Sequence, residues 1–253
     1  MVRLSWRIYT VLILIGLSIM LGVSHFLIFK DSKDLFFYLA LDIVFVPIQV
    51  LLVTIIIERL LAEREKQALL HKLNMVIGAF FGEVGTRLLR DVNVFIMDSS
   101  ELASHLGIND QWAGREFKDA LNFIEDAKFR VEPSLGHLQA IREFLLSQRG
   151  FLLTLLENSN LLEHERFTDL LWAVSHLTEE LEARTDFNSL PTPDLAHIQN
   201  DIRRAFGLLI REWLHYMQHL KSAYPYIYSL AVRTNPFNPS ASPIIKNKPQ
   251  QTL

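Results

Sequence analysis

Two apolar runs, residues 8–29 and 35–57, are separated only by Lys30-Asp31-Ser32-Lys33-Asp34, and no other feature of this chain constrains its fold as strongly. About 20 helical residues cross the hydrocarbon core of a bilayer. Each run meets that length, so residues 1–57 are read as a two-helix transmembrane hairpin. Trp6 and Tyr9 open the first run, and Phe36, Phe37 and Tyr38 open the second, where interfacial aromatic side chains belong. Arg3 and Arg7 precede the first span, and Arg59, Arg64, Lys66 and Lys72 follow the second. The connecting loop offers only Lys30 and Lys33, accompanied by Asp31 and Asp34. That asymmetry predicts a multi-pass protein of the cell inner membrane with both termini in the cytoplasm. A rival reading, a signal peptide cleaved near Gly22 and Ser24, meets the objection that the run is long for such a segment.

Three residues inside the spans stand out. Asp42 is an ionisable group about two turns into the second span, a costly position that ordinarily faces protein or water. His25 lies about one turn from the outer end of the first span. In an antiparallel hairpin the two reach similar depth and could pair, with a hydrogen bond to a neighbouring helix or a second copy as the simpler role for Asp42. Pro47 removes a backbone donor in mid-span and predicts a kink.

No glycine or proline occurs between Pro47 and Gly78, so the second span is expected to continue as a charged helical stalk over residues 58–72. Residues 73–232 then read as one bundle of five or six helices. Residues 73–97 form its most apolar stretch and are expected to be a core helix, with Gly78 and Gly82 allowing close approach of another backbone. Asp98 with Glu101 resembles a capping box. The next helix is expected from Asn109 or Asp110 to about Glu132, and another from Ser134 to about Glu157. Phe167, Leu170, Val174, Leu177 and Leu181 keep a 3-4-3-4 spacing. Thr192-Pro193 predicts the start of a last long helix, and Tyr224-Pro225 its end. Beyond it, residues 224–237 are expected to fold back across the bundle, and the proline-rich tail, residues 233–253, to be disordered. The fold class is therefore all-α: a transmembrane hairpin followed by a cytoplasmic helical bundle.

From residue 58 onward the chain has 25 acidic and 21 basic residues, a net charge of −4 with no basic face, which argues against nucleic-acid binding. The absence of cysteine excludes disulfides, thiolate metal sites and thiol catalysis. Phosphate-loop, dinucleotide, nucleophile-elbow, zincin and kinase motifs are missing as well. The most suggestive constellation is Glu212-x-x-His215-x-x-x-His219, because Glu-x-x-His is the ligand pair of di-metal carboxylate bundles. These residues lie roughly 75–135° to one side of the apolar stripe of their helix, and His197 and Asp201 share that flank. A di-metal centre needs a second such pair; His176 with Glu179 and Glu180 comes nearest, in reversed order, with solvent expected beside it. Edge-of-bundle hydrogen bonding is the competing role.

The function expected from these features is non-enzymatic: a membrane-anchored helical module, without cofactor, that scaffolds or recruits a protein partner or a second copy at the inner membrane face. A membrane-bound di-metal oxidoreductase using Glu212, His215 and His219 is one alternative. A small oligomeric channel or proton-coupled device around Asp42 is the other.

Overall fold

Leu, Ile, Val and Phe in long runs make the N-terminal sequence helical, through Gly16, Gly22 and Pro47. In the computed structural model it forms α1 (Trp6–Phe29) and α2 (Ser32–Phe80). The structure describes residues 6–29, 32–158, 161 and 164–245 and is all-helical, with no strand among them. Arg3, Lys30, Asp31, the turn residues Ser159 and Asn160, and residues 246–253 of the tail lie outside the described residues. Two units divide the chain, residues 1–67 and 68–253.

In the first unit both helices are long and apolar enough to cross a membrane. The windows within Val11–Ile28 and Phe36–Asn93 have mean hydropathies of 2.5 and 2.6, and neither contains a buried residue. Ser24 satisfies its hydroxyl on the Met20 carbonyl at 2.8 Å, as a polar residue inside an apolar helix must. His25 is half-buried, Asp42 is exposed, and α2 passes through Pro47 without ending.

The second unit begins with the last turns of α2, where Leu73, Ile77 and Phe80 enter a core that spans the rest of the unit. A π-helical turn, Phe81–Gly85, follows. Its extra residue brings both Phe80 and Phe81 inside, at 0% and 1% exposure. Thr86 accommodates the widened turn by placing both its backbone N–H and its hydroxyl on the Phe81 carbonyl, the latter at 2.8 Å. Gly78 faces the Tyr216 ring, a side chain where close backbone contact was expected.

The remaining helices are α3 (Thr86–Asn93), α4 (Ser99–His105), α5 (Gly114–Asp126), α6 (Leu135–Ser147), α7 (Arg149–Leu156), α8 (Glu165–Glu182), α9 (Thr192–Ala223) and α10 (Pro225–Arg233). Helix α9 is central: α3, α5, α8 and α10 all pack on it, while α6 and α7 lie on α8. All five residues of the 3-4-3-4 stripe on α8 are buried.

Several local expectations change. The Asp98 carboxylate makes no cap; it binds Arg130, with Nη2 at 2.6 Å and Nε at 3.2 Å. Helix α5 starts at Gly114 because Asn109 Oδ1 instead accepts the Gln111 N–H in a local turn, and Glu116 closes the helix start on the Ala113 N–H at 2.7 Å. It ends at Asp126 because the next segment is extended: Phe129 and Val131 point inward and Arg130 and Glu132 outward. That segment pairs with residues 95–97 through Met97 N–H to Arg130 O at 3.1 Å and Glu132 N–H to Phe95 O at 3.0 Å. The single helix expected from Ser134 to Glu157 is two, separated at Gln148. The fold-back expected of residues 224–237 is seen where that segment overlaps the tail expected to be disordered. Asn235 and Phe237 are buried at 2% and 1% exposure; Asn235 Nδ2 donates to the Leu106 carbonyl, and Phe237 stacks edge-on to Trp213 at 5.1 Å.

Candidate functional site

A loop at residues 183–191 joins α8 to α9, and the two helices pair in antiparallel order. Contacts step away from the loop as Arg184 with Asp194, Glu180 with His197, His176 with Asp201, and Arg166 with Glu212. Both helices carry a histidine and a carboxylate four residues apart, one turn along a helix face. The pairing brings the two pairs together.

His176, Glu180, His197 and Asp201 each offer a ligand atom within 4.8 Å of the others, and among the described residues no other group of three or more such side chains does so. His176 Nε2 lies 3.7 Å from Glu180 Oε1 and 3.6 Å from Asp201 Oδ2. His197 Nε2 lies 3.5 Å from Glu180 Oε2 and 3.4 Å from Asp201 Oδ2. All four separations are long for hydrogen bonds. Asp201 is 2% exposed, and its Oδ2, turned toward both imidazoles, has no hydrogen-bond partner among the described residues. Leaving such an acceptor unsatisfied costs about 1–3 kcal/mol.

Arginines hold one oxygen of each carboxylate: Asp201 Oδ1, which faces away from the imidazoles, and Glu180 Oε2, which also faces His197. Arg204 pairs with Asp201 Oδ1. Arg184 donates to Glu180 Oε2 at 2.6 Å and grips Asp194 with two bonds of 2.6 and 2.8 Å. The hydrogen bond from Arg184 keeps the Glu180 carboxyl below the usual range, so it ionises readily. His176 and Arg204 also border a cleft of about 700 Å³ shared with Trp172, Arg203 and Arg211.

The sequence-derived candidates lie elsewhere on α9. Glu212 and His215 converge on Arg166 of α8: Arg166 Nε is 3.6 Å from Glu212 Oε1, and Arg166 Nη1 is 3.0 Å from His215 Nε2. A guanidinium thus stands where this pair would meet a cation. Burial raises the pKa of Glu212, which is 2% exposed, and burial followed by the Arg166 charge pushes His215 down to about 4. His219 stands apart, edge-on to Tyr224 with ring centroids 5.8 Å apart, and burial lowers its pKa. His176 faces the α9 carboxylate although solvent was expected beside it. The missed signal was a matched pair, His-x-x-x-Glu before a short loop and His-x-x-x-Asp after it.

Fold and site together define an all-helical protein in two helical parts, with a histidine–carboxylate cluster between paired helices of the second. Residues 69–233 match the family described as "Uncharacterized protein MJ1433, C-terminal helical domain", and residues 2–61 match "MJ1433, N-terminal helical domain". The chain belongs to this family. It is 44% identical over 225 residues to the uncharacterized protein MJ1433 of Methanocaldococcus jannaschii, covering 89% of this chain and 90% of that protein. No solved structure matches it.

Proposed function

We propose that this protein is a membrane-anchored, non-enzymatic helical module that recruits a protein partner, or a second copy of itself, at the cytoplasmic face of the cell membrane. In this reading α1 and the first part of α2 cross the bilayer as a hairpin, both termini lie in the cytoplasm, and residues 58–72 are the stalk of a helical body. The supporting observation is that no residue is buried in two 18-residue windows with mean hydropathies of 2.5 and 2.6. Apolar surface of that extent calls for lipid or protein around it. Arg59, Arg64, Lys66 and Lys72, on the body side of the second run, supply the orientation. Recruitment is favoured by α10, which leaves Tyr226, Ile227 and Leu230 exposed on one short helix.

The cysteine-free sequence makes the topology directly testable. Lys33→Cys and Ser240→Cys are introduced separately into the full chain and treated in intact cells with a membrane-impermeant maleimide. The expected result is labelling at position 33 before permeabilisation and at position 240 only after it. The reverse pattern, or recovery of the protein in an aqueous extract free of detergent, removes the proposal.

A further inference from the structure

We propose that His176, Glu180, His197 and Asp201 bind a single divalent first-row transition-metal cation, clamped between α8 and α9. Nitrogen and oxygen ligands at about 2.0–2.2 Å from one ion stand about 3–3.6 Å from each other. Both imidazoles meet Asp201 Oδ2, at 3.6 and 3.4 Å, and Glu180 meets them through Oε1 at 3.7 Å and Oε2 at 3.5 Å. One atom from each residue lies within 4.8 Å of the others, so the side chains close by up to about an ångström around the ion. Direct histidine–carboxylate hydrogen bonds would instead draw them to about 2.7–3.2 Å.

The second, independent observation is Asp201 Oδ2, a buried oxygen aimed between two imidazoles and without a hydrogen bond. A cation coordinated there satisfies it. Two imidazoles with two carboxylates form a donor set suited to zinc, iron, manganese, cobalt or nickel; calcium and magnesium take all-oxygen sets, and soft ions take sulfur. Arg204 on Asp201 Oδ1 fixes that carboxylate from behind, as outer-shell partners of metal sites do, and Arg184 on Glu180 Oε2 leaves Oε1, which faces His176, for the ion. The ligands come as one pair from each helix, so the ion fastens two elements already in register, and its binding to the folded state stabilises that state.

The experiment uses full-length protein in detergent, purified without chelator and equilibrated separately with zinc, manganese, ferrous and cobaltous ions, with bound metal measured after dialysis. The expected result is about one equivalent per chain for at least one ion, with a rise in melting temperature. Bound cobalt should also give a visible ligand-field spectrum of imidazole and carboxylate coordination. The double variant His176→Gln/His197→Gln, altered at half-exposed positions, should keep its far-ultraviolet circular dichroism and lose affinity by about 100-fold or more. Glu212→Gln/His215→Gln should bind as the parent does. A substoichiometric trace of every ion overturns the proposal, as does binding unchanged in the His176/His197 variant or abolished in the Glu212/His215 variant. Should the His176/His197 variant fail to fold, Glu180→Gln serves in its place with the same expectations.

Discussion

At the residue scale, Gly85 shows how little space the π-helical turn leaves. A Cβ there would stand 2.5 Å from Phe81 Cδ1 and 2.8 Å from Phe80 Cε1. Both rings are fully buried and locked edge-on to each other at 5.3 Å, so neither can step aside cheaply. Gly85→Ala should therefore cost about 1–3 kcal/mol in a chemical denaturation series, the usual range for overpacking. His215 provides a pH-dependent counterpart. Its folded pKa of about 4 lies below the ordinary imidazole value, so its stabilising contribution is present above about pH 6.5 and fades as pH falls toward 4. Discounted for partial exposure, the loss is about 1–2 kcal/mol. Denaturation of the parent and of His215→Gln, followed by tryptophan emission at pH 7 and pH 4, should show that part of the acid sensitivity in the parent alone.

At the scale of elements, α8 against α9 is the pairing on which the second unit is built, and its charged contacts run along one edge. Arg166 is half-exposed while its carboxylate partner Glu212 is buried, so the two halves of this bridge are unequal. Arg166→Ala leaves an acceptor in the interior without its cation and should destabilise the protein by about 1–3 kcal/mol at pH 7. The penalty should shrink at pH 5. Burial already raises the Glu212 pKa, and losing the arginine raises it further, so protonation relieves the isolated charge. Comparing the denaturation midpoints of the parent and of Arg166→Ala at the two pH values checks both magnitude and sign. The α8 stripe was readable in advance because a 3.6-residue period is local. The end of α5 was misjudged because Phe129 and Val131 alternate with Arg130 and Glu132 over too short a span to compete with the helical signal around them.

At the scale of the whole molecule, the C-terminal segment closes the second unit. Tyr228 donates its hydroxyl to the Asn109 carbonyl at 2.8 Å, Asn235 reaches the Leu106 carbonyl at 2.8 Å, and Phe237 fills the space beside Trp213 and Phe206. Phe237→Ala should cost about 3–5 kcal/mol, the range for truncating a buried phenylalanine. Ending the chain after Thr234 should cost at least as much and shift Trp213 emission to the red. A truncation that leaves the denaturation midpoint unchanged would show that this segment is dispensable. The aromatic residues of 224–237 point to this fold-back, whereas proline density from residue 233 onward points to disorder; at Asn235 and Phe237 the contacts follow the aromatic signal.

Hydropathy and helical period, both carried by near neighbours in the chain, were enough to establish the two apolar helices, the all-helical character and most of the inward-facing stripes. The gathering of His176, Glu180, His197 and Asp201 was not legible in that way. A helix's own period places a side chain on a flank, but which flank of the next helix lies opposite, and at what longitudinal offset, is settled by the packing of the whole core. Tertiary structure chose the register of α8 against α9, and the same choice directed Glu212 and His215 to Arg166.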